Sequence, residues 1–141
     1  MSSEAITRND LTAILDEVLP AKTTVTILFD NDSQPLAGAI TLAESATNFD
    51  MLVICYKTND GDFASTSVMH PNGKSVCLWG ATVSGGYMYM KSKAVQINGN
   101  TINTTNNGQG TYYTGQGYIP SPTVNTGDYI AVTQVIGYKF S

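Results

Sequence analysis

The sequence predicts a mainly β protein, with a short N-terminal amphipathic helix followed by an antiparallel, jelly-roll-like β-sandwich. Three observations carry this expectation. A hydrophobic period near 3.6 residues is confined to the stretch before Pro20. Beyond it the period falls to 2 and recurs in roughly eight to ten short runs. Clusters of Asn, Asp, Gly and Pro separate those runs at fairly even spacing, and helix and strand patterns never alternate as a doubly wound fold requires.

The helix comes first. Thr7 and Asp10 occupy the N-cap and N3 positions of a capping box, with Asp in place of the usual Glu, and Ile6 and Leu11 form the matching hydrophobic staple. Leu11, Ile14, Leu15, Val18 and Leu19 then share one stripe. Pro20 ends the helix, because the residue before proline is driven out of helical geometry. A helix of about three turns is marginal alone in water. The stripe must therefore pack on its own subunit or on equivalent helices around a symmetry axis. Residues 1–20 are read as a helix for trimerisation or docking, with Leu11, Ile14, Leu15 and Val18 as assembly residues. Residues 21–141 are read as the sandwich head.

The strands follow in order. Residues 23–30 (TTVTILFD) alternate and end in a D-N-D-S turn, and residues 35–42 (PLAGAITL) form a second strand. Residues 49–57 (FDMLVICYK) are the most apolar run and are placed centrally, before an N-D-G-D turn. Residues 63–69 and 75–80 pair around H-P-N-G. Residues 87–93 (YMYMKSK) put Tyr87, Tyr89, Lys91 and Lys93 on one face. Residues 95–97 and 101–103 flank Asn98-Gly99-Asn100, a hairpin signal because Asn-Gly suits a positive-φ turn. Residues 128–140 close the chain as a long strand.

Composition narrows the function. A chain of 141 residues makes one domain with a real core. Charged residues are 13% of it, about half the roughly 25% usual for soluble domains. The net charge is −4 and the basic residues are scattered, so no basic stripe exists to displace counterions from nucleic acid. No run approaches the ~18 apolar residues of a membrane span. The start lacks a basic region followed by an apolar one, so no secretory signal is expected and synthesis is cytoplasmic. Cys55 and Cys77 lie in apolar runs and read as two small buried hydrophobes, the alternative being a disulfide. Trp79, in the same run as Cys77, reads as core.

Catalytic constellations are thin. His70 is the single histidine and sits in a turn-like M-H-P-N-G, which reads as an exposed turn residue. No nucleophile elbow accompanies it. Asp30 and Asp32, like Asp60 and Asp62, are spaced as in calcium loops but lack the further ligands of one, and acids also stabilise turns. Glu44 and Asp50 read as solvated loop residues and not as a glycosidase pair. The chain is expected to be no enzyme and to hold no metal or cofactor.

The polar segment remains. Residues 94–127 run for 34 positions without a charged side chain. Within it Tyr112, Tyr113 and Tyr118 lie among glycines, with Asn106, Asn107 and Gln116 beside them. Tyrosine offers rigid contact area and Asn, Gln and Gly offer adaptable hydrogen bonding. A sugar presents the complement, an apolar ring face rimmed by hydroxyls. These six residues are the candidate ligand site. The same tyrosines would equally serve packing on a neighbouring subunit, or line a plain connector.

Three segments together resemble a known group. Residues 6–20 (ITRNDLTAILDEVLP) resemble the short helical lead-in of phage and prophage structural proteins. Residues 129–139 (YIAVTQVIGYK) resemble the closing strand of phage tail-fibre and receptor-binding tip domains. Residues 40–56 (ITLAESATNFDMLVICY) are similar to the early strand pair of the same group. The resemblance implies a β-sandwich head, a homotrimer with other virion structural proteins as partners, and attachment to host cell-surface saccharide without catalysis or membrane insertion. Fibre proteins carry a long repetitive shaft that this sequence does not show. A head fibre, decoration protein or baseplate piece, with a capsid or baseplate role that is purely structural, is the alternative expectation; a small glycan-active enzyme is a third. No binding residue of the group transfers to this chain.

Overall fold

The computed structural model describes residues 22–84, 87–104, 111–115 and 129–140. The helix expected around Leu11, Ile14, Leu15 and Val18 lies outside the described residues. Among those described, the strands are β1 (Thr23–Asp30), β2 (Ile40–Thr41), β3 (Met51–Thr58), β4 (Phe63–Met69), β5 (Ser75–Ser84), β6 (Tyr87–Asn98), β7 (Thr101–Thr104), β8 (Thr111–Gly115) and β9 (Ile130–Phe140). They form two antiparallel sheets. One has the order β1-β9-β3-β4; the other has β2-β7-β6-β5, with β8 also paired to β6. Because β5 occupies one edge of β6, β7 and β8 share the other edge end to end. The first three strands alternate between sheets, as in a jelly roll. Strands β3–β4 and β5–β6–β7 then run as meanders within their own sheets.

Alternation on β3 places the core. Leu52, Ile54, Tyr56 and Thr58 are buried, and the intervening residues are half-buried on the outer face. Leu28, Ile130, Val132 and Val135 join them from the same sheet, and Ile40, Leu78, Val95, Ile97 and Ile102 from the other. Each such side chain, fully buried, contributes about 1.5–3 kcal/mol. Phe49, Leu42 and Ala46 close one end of the sandwich.

Two bulges make this packing possible. Opposite β3, Cys55 pairs with Gln134 and Tyr56 with Val132, leaving Thr133 as an extra residue on β9. The shift lets Val132 and Val135 both face inward across an odd spacing. Opposite β1, Ile27 pairs with Ile136 and Phe29 with Val135, which leaves Leu28 as the bulged residue.

Several expectations need correction. Residues 35–42 are not one strand. Leu36 bridges to Val132 in the first sheet, whereas Ile40 and Thr41 pair with β7 in the second, so this stretch is the crossover between sheets. Residues 87–97 are one strand and not two. The hairpin expected around Asn98-Gly99-Asn100 is present, with Asn98 paired to Thr101 and positive φ at Gly99, the pattern of a type II′ turn. Cys77 and Trp79 are exposed, not core, because Leu78 between them takes the inward position. Cys55 and Cys77 are both free thiols. Lys91 and Lys93 face inward with Val95 and Ile97.

Candidate recognition surface

Inward and outward faces of the five-stranded sheet have opposite characters. Inward, β6 carries Lys91 and Lys93, both at most 4% exposed, below Val95 and Ile97. Burying two ammonium groups is costly unless each is paired or hydrogen-bonded. The Lys91 ammonium pairs with the Asp60 carboxylate, donates to Asn59 Oδ1 at 2.5 Å and lies 6.0 Å from the centroid of the Tyr129 ring. Lys93 donates to the Ala37 carbonyl and, at 3.0 Å, to that of Ile130. It thereby ties the crossover between sheets to the start of β9. The interior at this end of the sandwich is polar, whereas the Phe49 end is apolar.

The Asn59–Asp62 turn is closed by bonds from Gly61 N–H to the Thr58 carbonyl and from Thr58 N–H to that of Asp62, each 2.9 Å. Asp60 is thus engaged by a lysine. Among the described residues no three His, Cys, Asp or Glu side chains converge as a metal site would need.

Outward, the same sheet presents Ser75, Cys77, Trp79 and Ala81 from β5, Met90, Ser92, Ala94 and Gln96 from β6, and Asn103 from β7. None is charged. Trp79 is 57% exposed and Met90 37%. Trp79 pairs with Ser92 and Ala81 with Met90, so the indole and the thioether sit on neighbouring rows. Strand β8 extends the sheet on the far side of β6, with Tyr113 across from Met90 and Tyr112 across from Lys91.

Of the six candidate ligand residues, Tyr112 and Tyr113 therefore fall on a strand and not on a loop. Tyr118, Asn106, Asn107 and Gln116 lie outside the described residues. Trp79 and Met90 were not among the candidates. A signal for Trp79 was present: in residues 75–80 (SVCLWG), Ser75, Cys77 and Trp79 share one parity, and Ser75 marks that face as wet.

His70 is exposed in its turn, as expected, with φ 48°. It borders a recess of about 270 Å³ formed with Ala46, Thr47, Phe49, Pro71 and Asn72. The one hydroxyl lining that recess, Thr47 Oγ1, is hydrogen-bonded to Ser45 Oγ at 2.9 Å, and no carboxylate or thiol lines it beside His70.

Comparison with protein-family models finds no match, and comparison with curated proteins finds no relative.

Proposed function

We propose that this chain is a structural protein of a phage or prophage virion, displayed as a homotrimer, that attaches to uncharged glycan on the host cell surface. The observation that carries the reading is the outer face of the five-stranded sheet. It is charge-free among its described residues, it exposes an indole beside a methionine, and β8 with Tyr112 and Tyr113 anneals at its side. An exposed aromatic ring binds the apolar face of a pyranose, while Ser92, Gln96 and Asn103 supply neutral hydrogen-bonding groups around it. A phosphorylated or acidic ligand would find no cation on this face. Three copies on one particle would raise weak single-site binding by avidity, about 10²–10⁴-fold for linked sites.

A purely structural role on a capsid or baseplate is the second reading, favoured by the apolar outer face of the other sheet, where Val25 and Ile27 are each more than half exposed.

The chain contains one tryptophan, so its fluorescence reports directly on the proposed site. Titration with neutral hexose and N-acetylhexosamine oligosaccharides is expected to shift or quench the emission. Trp79→Ala should abolish adhesion to host cells while the melting temperature stays near that of the unaltered protein. Adhesion that survives Trp79→Ala and Tyr113→Ala together would overturn the attachment reading and leave the structural one. Light scattering tests the assembly separately, with a mass three times the 15.0 kDa chain expected.

A further inference from the structure

Lys91, on the five-stranded sheet, closes on two groups carried by the turn between β3 and β4 of the other sheet. Its ammonium pairs with the Asp60 carboxylate and donates to Asn59 Oδ1 at 2.5 Å. Asn59 Cγ lies one carbonyl bond beyond that oxygen, so it is no more than about 3.7 Å from Nζ. Reacting atoms are poised at about 3–3.5 Å. Both sides of the contact are held. Lys91 is 4% exposed and fixed in register on β6, while the Asn59 N–H donates to the Tyr129 carbonyl at 2.9 Å. Gly80 stands opposite Lys91 on β5, and a Cβ there would lie 3.0 Å from Thr58 Cγ2. The bare backbone at Gly80 thus lets Thr58, and the turn it begins, come close to β5 and β6. Asn59 and Asp60 are themselves exposed, so a group released from them can leave to solvent.

We infer that the folded chain joins Lys91 to Asn59 by an amide bond of its own making, with Asp60 as the acid–base group. Asp60 takes a proton from the Lys91 ammonium, and the freed amine attacks Asn59 Cγ. The Nζ–Cγ bond forms, the Cγ–Nδ2 bond breaks, and Asp60 passes protons from Nζ to the departing Nδ2. One ammonium group and one carboxamide become a secondary amide and a free ammonium ion. Atoms and charge balance with no oxidant or second reactant. Asp60, anionic while it pairs with Lys91, resists nucleophilic attack, which leaves the neutral carboxamide as the acceptor. The bond ties the two sheets together across 32 residues of sequence, a constraint that stabilises chiefly by restricting the unfolded chain. A carboxamide is a weak electrophile, so closure follows folding slowly. Freshly folded chain carries the Lys91 ion pair, and the strength of that pair is read before closure. The inference goes beyond the attachment reading and does not depend on it.

The intact mass of the full chain, followed on standing after purification, tests it. The expected result is a loss equal to one ammonia, with a branched peptide joining Lys91 to Asn59 after proteolysis. Asn59→Ala and Lys91→Met should each abolish the loss. Asp60→Ala should slow it about 10²–10⁴-fold, the range of a positioned acid–base group. If Lys91→Met or Asp60→Ala does not fold, Asn59→Ala, at an exposed turn position, carries the test. The linked chain should also melt at a higher temperature than Asn59→Ala. A mass that stays unchanged overturns the inference. Loss of one water, with Lys91 joined to Asp60, overturns it as well. Loss of ammonia without a branched peptide does the same, by placing a cyclic imide at an Asn-Gly pair such as Asn72-Gly73 or Asn98-Gly99.

Discussion

The Tyr56 hydroxyl donates to the Trp79 carbonyl at 2.6 Å and accepts from the Trp79 N–H at 3.1 Å. Tyr56 is a core residue of β3, and Trp79 sits on β5 at the edge of the facing sheet. One phenol therefore satisfies both backbone groups that an edge strand leaves unpaired there, and it couples the interior to the residue proposed to meet ligand. Tyr56→Phe keeps the ring and removes both bonds. It is expected to cost about 1–3 kcal/mol in urea unfolding and to alter Trp79 emission in the native state. Unchanged stability with unchanged emission would show that water replaces the hydroxyl without loss.

Lys93 is worth more than Lys91, by the same reasoning. Removing the Lys93 ammonium leaves the Ala37 and Ile130 carbonyls short of a donor at the corner where the chain changes sheets. Lys93→Met should destabilise by about 2–4 kcal/mol, from the desolvation cost of groups left unsatisfied. Lys91→Met should cost less, because its partner Asp60 has a side chain 45% exposed that can rehydrate. Thermal melts of the two variants, read side by side, test the ranking.

How much of this was legible depends on what alternation can carry. The period-2 pattern places β1 and β4 at their observed ends in residues 23–30 and 63–69, although the bulge at Leu28 interrupts it within β1. It cannot reveal a bulge, so the inward pairing of Val132 with Val135 is invisible without the register on β3. Lys91 and Lys93 mislead for a different reason. They share parity with Val95 and Ile97, which are buried, but dividing the run at Ala94 hides that continuity and leaves the face of Tyr87, Tyr89, Lys91 and Lys93 unassigned. Their acceptors, Asp60, Ala37 and Ile130, are 31, 56 and 37 residues away in sequence. No local pattern carries such contacts. The polar segment was recognisable by composition, yet only pairing with β6 shows that Tyr112 and Tyr113 extend a sheet.

The two thiols should separate by reactivity. Cys77 is exposed and Cys55 half-buried. Burial pushes the Cys55 thiol above its ordinary value, and the Asp32 carboxylate adds to the shift. Since the thiolate is the nucleophile, iodoacetamide at mildly alkaline pH should alkylate Cys77 first, and Asp32→Asn should modestly speed Cys55. The sign for stability follows. A raised folded value favours the protonated thiol, so its contribution is complete below the unfolded value and is lost as pH rises through the folded one. Cys55→Ser should therefore flatten part of the stability decline on the alkaline side and leave acid unfolding unchanged. Equal alkylation rates at both thiols would contradict this ordering.

Gly137 gives the sharpest packing test. A Cβ built at this position would lie 2.6 Å from one ring carbon of Phe49 and 2.8 Å from two others. Phe49 is 9% exposed at the closed end of the sandwich, and Cγ, at the root of the ring, is among the atoms met, so the methyl cannot be cleared by moving the ring's far edge alone. Gly137→Ala should destabilise by about 1–3 kcal/mol through overpacking, even though alanine suits a strand better than glycine does. Phe49→Leu alone leaves space unfilled and should also destabilise. In the double variant the shorter side chain makes way for the new methyl, so the combined loss should fall below the sum of the two. A strictly additive double variant would mean that strand β9 shifts to relieve the clash and that the ring is not what excludes a side chain here.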